Sequence, residues 1–264
     1  MCTTCGCSPA DHHHHDYDHD HHGDHHHDHG DGHDHDHHHH HKGEGKRSVI
    51  AIEEDILAKN NRLASFNRAL FREKGILVLN LVSSPGSGKT TLLERTLRDL
   101  AGRFSFAVIE GDQQTDNDAQ RIAATGVPVR QINTGAGCHL DAHMIMHGTE
   151  GFDLDNIDIM MIENVGNLVC PAAFDLGEQH KVVVLSVTEG EDKPLKYPQM
   201  FRNSSLMLLN KSDLLPHLDF ALDKCKEHAM RINPGITIFD VSARTGEGMD
   251  KWYHWLEDQV KFRL

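Results

Sequence analysis

The run Ser83-Ser84-Pro85-Gly86-Ser87-Gly88-Lys89-Thr90 follows an apolar segment and precedes a helix-like one. That context suits a phosphate-binding loop, in which glycines let backbone N–H groups turn inward around phosphate oxygens. Lys89 can reach the β and γ phosphates, the Thr90 hydroxyl can ligate Mg²⁺, and the backbone of Gly86, Ser87, Gly88, Thr90 and Thr91 can line the cradle at a helix N-terminus. One departure is Ser83, where the usual first residue is Gly. Downstream, Asn210-Lys211-Ser212-Asp213 fits the N-K-x-D pattern: the Asp213 carboxylate accepts two N–H bonds from guanine, a pair adenine cannot offer. Lys211 can lie over the base and Asn210 can brace the loops. Ser242-Ala243-Arg244 resembles the supporting S-A-x element, with the Ala243 N–H directed at guanine O6. Between them Glu163-Asn164-Val165-Gly166 occupies the place of D-x-x-G, so Glu163 can hold Mg²⁺ through water and the Gly166 N–H can meet the γ-phosphate. Asp112, in Glu110-Gly111-Asp112-Gln113, is a candidate second Mg²⁺ contact and water-orienting group, or alternatively a helix N-cap. No Gln follows Gly166 to orient an attacking water, which predicts slow intrinsic GTP hydrolysis to GDP and phosphate.

A second chemistry is written in soft ligands. Cys2-Thr3-Thr4-Cys5-Gly6-Cys7 gathers three thiols, and with a retained Met1 amine it offers three sulfurs and one nitrogen, suited to square-planar Ni²⁺ or tetrahedral Zn²⁺. Residues 12–41 hold 18 of the 25 histidines interleaved with Asp, a set of many weak sites with the character of a metal store. Cys138-His139, read as a helix start, and Cys170, four residues past Gly166, supply three more soft ligands. If Cys170 moves with the nucleotide, metal affinity and nucleotide state are reciprocally coupled. Cys225 reads as an ordinary helix residue, and His143 and His147 as a solvated helical face.

These residues need a frame. Apolar runs rich in Val, Ile and Leu at 76–82, 106–110, 127–132, 157–163, 182–187, 206–210 and 237–241 predict strands covered on both faces. Helix-length segments fit after Lys89, around 116–124, after Cys138, around Pro198, at 219–232 and at 248–262. Another is predicted over 50–74, with Ile52, Ile56, Leu63, Phe66 and Leu70 as its apolar positions and Gly75 as its end. The expected fold is α/β: a P-loop NTPase with a mainly parallel, doubly wound sheet, preceded by a disordered metal-binding N-terminal tail. Residues 1–47 form the tail and 48–264 the nucleotide-binding domain with its N-terminal helix. Residues 1–41 carry nine Asp and no Glu, Lys or Arg, leaving −5 of the net charge of −14 to the rest. Such a stretch has nothing to bury against the entropy of folding. No basic face suggests nucleic acid, and no apolar run suggests a membrane span. Without a secretory leader, the chain is expected in the cytoplasm with reduced thiols.

Taken together, Cys-Thr-Thr-Cys-Gly-Cys, the His-rich tract, Ser-Ser-Pro-Gly-Ser-Gly-Lys-Thr-Thr, Gly-Cys-His-Leu-Asp and Glu-Asn-Val-Gly-Asn-Leu-Val-Cys-Pro resemble the hydrogenase nickel-incorporation GTPases, the HypB family. The resemblance implies a P-loop GTPase of the dimerising SIMIBI class with GTP/GDP, Mg²⁺, Ni²⁺ and Zn²⁺ as ligands. It implies a homodimer formed on GTP binding, which gates nickel delivery to the large-subunit precursor of nickel–iron hydrogenase. It also implies a HypA-like zinc-binding partner and, in some organisms, a SlyD-like one. By the same resemblance Cys2, Cys5 and Cys7 form a tight nickel site, and Cys138, His139 and Cys170 a site for nickel or zinc. Glu191-Asp192-Lys193-Pro194 matches a family segment near the dimer interface, or simply starts a helix. The alternatives are a urease-type nickel-delivery GTPase, which typically carries a Cys-Pro-His motif, and a nickel storage protein with a vestigial nucleotide domain.

Overall fold

The β-branched and Leu-rich runs form strands because their side chains fill both faces of a pleat. In the computed structural model, which describes residues 44–113 and 116–262, they give β1 (Leu77–Ser83), β2 (Phe106–Asp112), β3 (Val129–Asn133), β4 (Ile159–Glu163), β5 (His180–Ser186), β6 (Leu206–Asn210) and β7 (Thr237–Asp240). The strands form one seven-stranded sheet in the order β3-β2-β4-β1-β5-β6-β7, every pair parallel. The helices are α1 (Glu44–Glu73), α2 (Lys89–Asp99), α3 (Asn117–Ala123), α4 (Ala142–Gly148), α5 (Lys193–Lys196), α6 (Pro198–Arg202), α7 (Leu222–Ile232) and α8 (Met249–Lys261). The expected doubly wound P-loop architecture is thus the observed one. Cys2, Cys5, Cys7 and the His/Asp tract lie outside the described residues. Residues 55–264 form one compact unit, which contains the whole sheet.

Alternation along β1 sets the two layers. Leu77, Leu79 and Leu81 share a core with Leu92, Leu93 and Leu97 of α2 and with Trp252 and Leu256 of α8. On the opposite face Val78 lies with Phe71 of α1 and Ile145 of α4, and Val82 with Phe201 of α6 and Cys225 of α7. Each such buried side chain contributes about 2 kcal/mol. The Trp252 indole is kept satisfied by donating to Thr96 Oγ1 at 3.0 Å. Asn80 interrupts the apolar series on the second face and is fully buried there.

Four expectations need correction. The buried stripe of α1 is Asn60, Ala64, Asn67 and Phe71, whereas Ile52, Ile56 and Phe66 are exposed. The stripe is half polar because Asn60 and Asn67 serve loop backbone: Asn67 Nδ2 donates to the carbonyls of Ala142 and Leu176, and Asn60 binds Ala142 N–H and Asp175 O. Cys138 does not begin a helix. Asp141 caps α4 by accepting from Met144 N–H at 2.8 Å, leaving Cys138–Leu140 in the turn before it. Finally, α7 begins at Leu222 rather than at 219, and β3 begins at Val129 because Pro128 has no N–H to give a ladder. Gly75 does end α1, at φ 65°, a conformation that favours glycine.

Because all strands run the same way, their C-terminal ends share one edge. The loops after β1, β2, β3, β4, β6 and β7 emerge along it, the place where open α/β sheets bind ligands.

Candidate functional site

The loop after β1 holds Gly86 and Gly88 at φ 75° and 89°, and α2 starts at Lys89. A side chain at Gly88 would lie 2.7 Å from Asn210 Nδ2, so this loop and the β6 end approach as only glycine permits. The loop forms one wall of a cleft of about 590 Å³, lined also by Glu110, Asp112, Asp118, Arg121, Glu163, Gly166 and Lys211. Within it Thr90 Oγ1 donates to Glu163 Oε1 at 2.7 Å, and Lys89 Nζ lies 3.3 Å from the same oxygen. The other oxygen, Glu163 Oε2, is buried and without a hydrogen-bond partner among the described residues, and so is Glu110 Oε2. Orphaned carboxylate oxygens beside a threonine hydroxyl are hard donors of the kind that suits Mg²⁺ with phosphate oxygens.

Glu110 escaped the sequence reading. It is 2% exposed and stands opposite Glu163 in the β2–β4 register. Burial, with Glu163, Asp112 and Asp118 nearby, pushes its carboxyl up to about 8 against the pull of Lys89. Its signal in the sequence is the two-residue period, which puts Glu110 on the same face of β2 as Asp112. Asp112 itself lines the cleft at the strand end, and the N-cap of α3 is Asp116, which removes the capping alternative. Arg121 and Asp118 were also missed. Arg121 Nη2 donates to Thr91 Oγ1 at 3.1 Å and pairs with Glu94, and its Nη1 pairs with Asp118 at 3.2 Å.

The proposed base-reading residues are assembled by their own bonds. Asn210 Nδ2 donates to Ser87 O at 2.9 Å, while Asn210 Oδ1 accepts from Ala243 N–H at 3.1 Å. A contact from that N–H to guanine O6 would therefore have to share or replace the Asn210 bond. Lys211 adopts φ 63° and donates to Gly86 O at 2.6 Å. Ser242 Oγ donates to Asp213 Oδ1 at 2.6 Å, setting the carboxylate that would meet the base.

Cys138, His139 and Cys170 come together: one ligand atom from each lies within 4.8 Å of the others. Cys138 Sγ is 3.6 Å from His139 Nδ1. The His139 ring lies on Phe174 with centroids 3.9 Å apart, and burial lowers its pKa, keeping the neutral imidazole that a metal requires. Two thiols and an imidazole accept Ni²⁺ or Zn²⁺. Cys225 stands apart, buried in α7, its thiol pushed up to about 12 by burial, Glu191 and Asp240. His143 and His147 are exposed on α4 with Nε2 atoms 3.2 Å apart, the solvated face predicted for them. Pro194 lies in the first turn of α5, as a helix start should.

Comparison with known proteins adds four likenesses. Residues 77–240 match the model of the CobW/HypB/UreG nucleotide-binding domain. The chain is 62% identical over 222 residues to the hydrogenase maturation factor HypB of Azotobacter vinelandii, covering 84% of this chain and 73% of that one. It is also similar to two solved structures at 39% identity. One is HypB from Helicobacter pylori in complex with nickel (TM-score 0.74, 77% of this chain and 95% of that one). The other is HypB from Archaeoglobus fulgidus (TM-score 0.72, 77% and 99%).

Proposed function

Because the chain belongs to the CobW/HypB/UreG family, and within it to the hydrogenase maturation factors HypB, we propose that it is a GTP-hydrolysing nickel metallochaperone. In this proposal it binds Ni²⁺ and delivers it to the large-subunit precursor of nickel–iron hydrogenase. Binding of GTP brings two copies together and gates the transfer, and a HypA-like zinc or nickel chaperone, and in some organisms a SlyD-like protein, are its partners. The observation that carries the proposal is the joint placement of two chemistries. Glu163 and Gly166 line the phosphate cleft, and Cys170, a few residues on, meets Cys138 and His139 in a soft-ligand cluster.

The residues divide the work as follows. Backbone N–H groups of Gly86–Thr91 and the Lys89 ammonium hold the phosphates and neutralise charge that grows on the γ-phosphoryl oxygens. Thr90 and Glu163 would hold Mg²⁺, which would draw negative charge from the phosphates. Glu110 and Asp112 complete the acidic wall, with Asp112 placed to orient water. Asp213, set by Ser242, selects guanine. Cys138, His139 and Cys170 receive nickel as cargo, or zinc, and the Cys2, Cys5 and Cys7 tip is assigned the tight nickel site. Residues 1–47 are assigned to metal storage and 48–264 to nucleotide chemistry. No described helix is long and apolar enough to cross a membrane.

The test is nickel release from the full chain with GDP and with a non-hydrolysable GTP analogue, in wild type and in Cys170→Ala. An affinity difference of about fivefold or more in wild type, lost in the variant, is the expected result. Equal release in both nucleotide states removes the gating.

A further inference from the structure

The stretch between the phosphate cleft and the soft-ligand cluster is tied down by two asparagines that flank Val165-Gly166. Asn164 is 1% exposed. Its Oδ1 accepts from Leu140 N–H at 3.1 Å and Val165 N–H at 3.0 Å, and its Nδ2 donates to Asn80 Oδ1 at 3.2 Å. Leu140 directly follows His139 and presses on β2, where a side chain at Gly111 would lie 2.7 Å from Leu140 Cγ. Asn167 Oδ1 accepts from Val169 N–H at 2.7 Å and Cys170 N–H at 3.4 Å, while its Nδ2 donates to Cys138 O at 3.5 Å.

The buried chain continues from Asn80. Asn80 Nδ2 donates to Glu178 Oε1 at 3.1 Å. Lys181, 3.8 Å from that carboxylate oxygen, donates to the carbonyls of Pro171, Ala172 and Phe174 at 2.9, 3.4 and 3.1 Å. So the turn bearing Cys138 and His139 hangs on Asn164 and Asn167, and the turn bearing Cys170 on Asn167 and Lys181. Gly166, between the two asparagines, meets the phosphate loop so closely that a side chain there would lie 3.2 Å from Pro85. An amide side chain both donates and accepts, so one residue can fasten two loops, and a buried partner left unpaired is destabilising.

We propose that Asn164 and Asn167 are positioning residues that carry the state of the phosphate cleft to the metal ligands. When Gly166 shifts with the γ-phosphate, both amides shift, and with them the backbone of Cys138-His139 and of Cys170. The proposal rests on the nucleotide gating proposed above.

The test uses the full chain carrying Cys2→Ser, Cys5→Ser and Cys7→Ser, so that the thiolate-to-cobalt charge-transfer band reports Cys138 and Cys170. Co²⁺ is titrated with GDP and with a non-hydrolysable GTP analogue, alongside thermal unfolding and nucleotide affinity. The background should show a ratio of Co²⁺ affinities between nucleotide states of about fivefold or more. In Asn167→Ala the ratio should fall to within about twofold of one, with nucleotide affinity held within about twofold. Asn164→Ala should lower the ratio likewise, and because Asn164 lines the cleft its nucleotide affinity is not held to that limit. Asn167 is partly exposed, so its variant decides the matter if Asn164→Ala fails to fold. A ratio that survives, or Co²⁺ binding weakened or lost equally in both states, marks a merely structural role and overturns the assignment while gating stands. Equal affinities in the background itself overturn the gating and this assignment with it.

Discussion

At the β6–β7 end of the sheet edge, Asn210, Lys211 and Asp213 come from one short turn. They are locked to the phosphate loop and to Ser242-Ala243 through bonds such as Asn210 to Ser87 O and Ser242 to Asp213. At the β2–β4 end, Cys138 and Cys170 come from turns 32 residues apart. Both turns are fastened by Asn164, Asn167 and Lys181, none of them in the candidate ligand set. The nucleotide side is therefore closed by bonds between contiguous motifs that lie far apart in the chain, Asn210 and Ser87 being 123 residues apart. The soft-ligand side is held by Asn164, Asn167 and Lys181, which lie outside the ligand set, so it can be loosened without touching a ligand.

The largest effect that separates the two ends is expected for Lys89→Ala. Phosphate release should fall by about 10³-fold while the cobalt charge-transfer band of the nucleotide-free protein stays unchanged. Loss of the band would show that the two ends are not built independently. Asp213→Asn should weaken GTP binding by about 100-fold and admit xanthosine nucleotides, measured by fluorescent-nucleotide titration. Unchanged GTP affinity would remove Asp213 from base reading. Cys170→Ala should lower metal affinity at the cluster by about tenfold or more, leaving GTP affinity within about twofold in nickel-free buffer. Lys181→Met removes the donor to three carbonyls and leaves Glu178 buried beside it; a drop of several degrees in melting temperature and about fivefold weaker Co²⁺ binding are expected. If Co²⁺ affinity does not move, the Cys170 turn is held by Asn167 alone. The smallest effect is expected from deleting residues 8–41: fewer nickel ions bound per chain, with GTP turnover within about twofold of wild type. A collapse in turnover would tie the tail to catalysis.

How much of this was legible beforehand depended on range along the chain. The seven strands were visible as apolar runs, and the residues at their ends could be named because P-loop, N-K-x-D and S-A-x chemistry is contiguous. Glu110 was overlooked although its spacing from Asp112 places both on one strand face. The helix start assigned to Cys138 failed because Asp141 outcompetes it as a cap, and a cap is decided by which side chain reaches the free N–H groups. The apolar positions of α1 misled for a different reason. Its buried side answers to the backbone carbonyls of Ala142 and Leu176, so it needs Asn67 where periodicity favours a hydrophobe.

The sequence by itself determined the glycine-rich loop before Lys89, the N-K-x-D and S-A-x segments and the apolar runs that become strands, because each is a pattern of near neighbours. Only the tertiary structure decided that Cys138, His139 and Cys170 converge, that Glu110 faces Glu163, and that Asn164 and Asn167 fasten both metal turns beside Gly166. Those arrangements depend on strand order and on buried amides finding partners across the chain. Their free energy comes from satisfying buried polar groups, a condition that no local pattern of residues records.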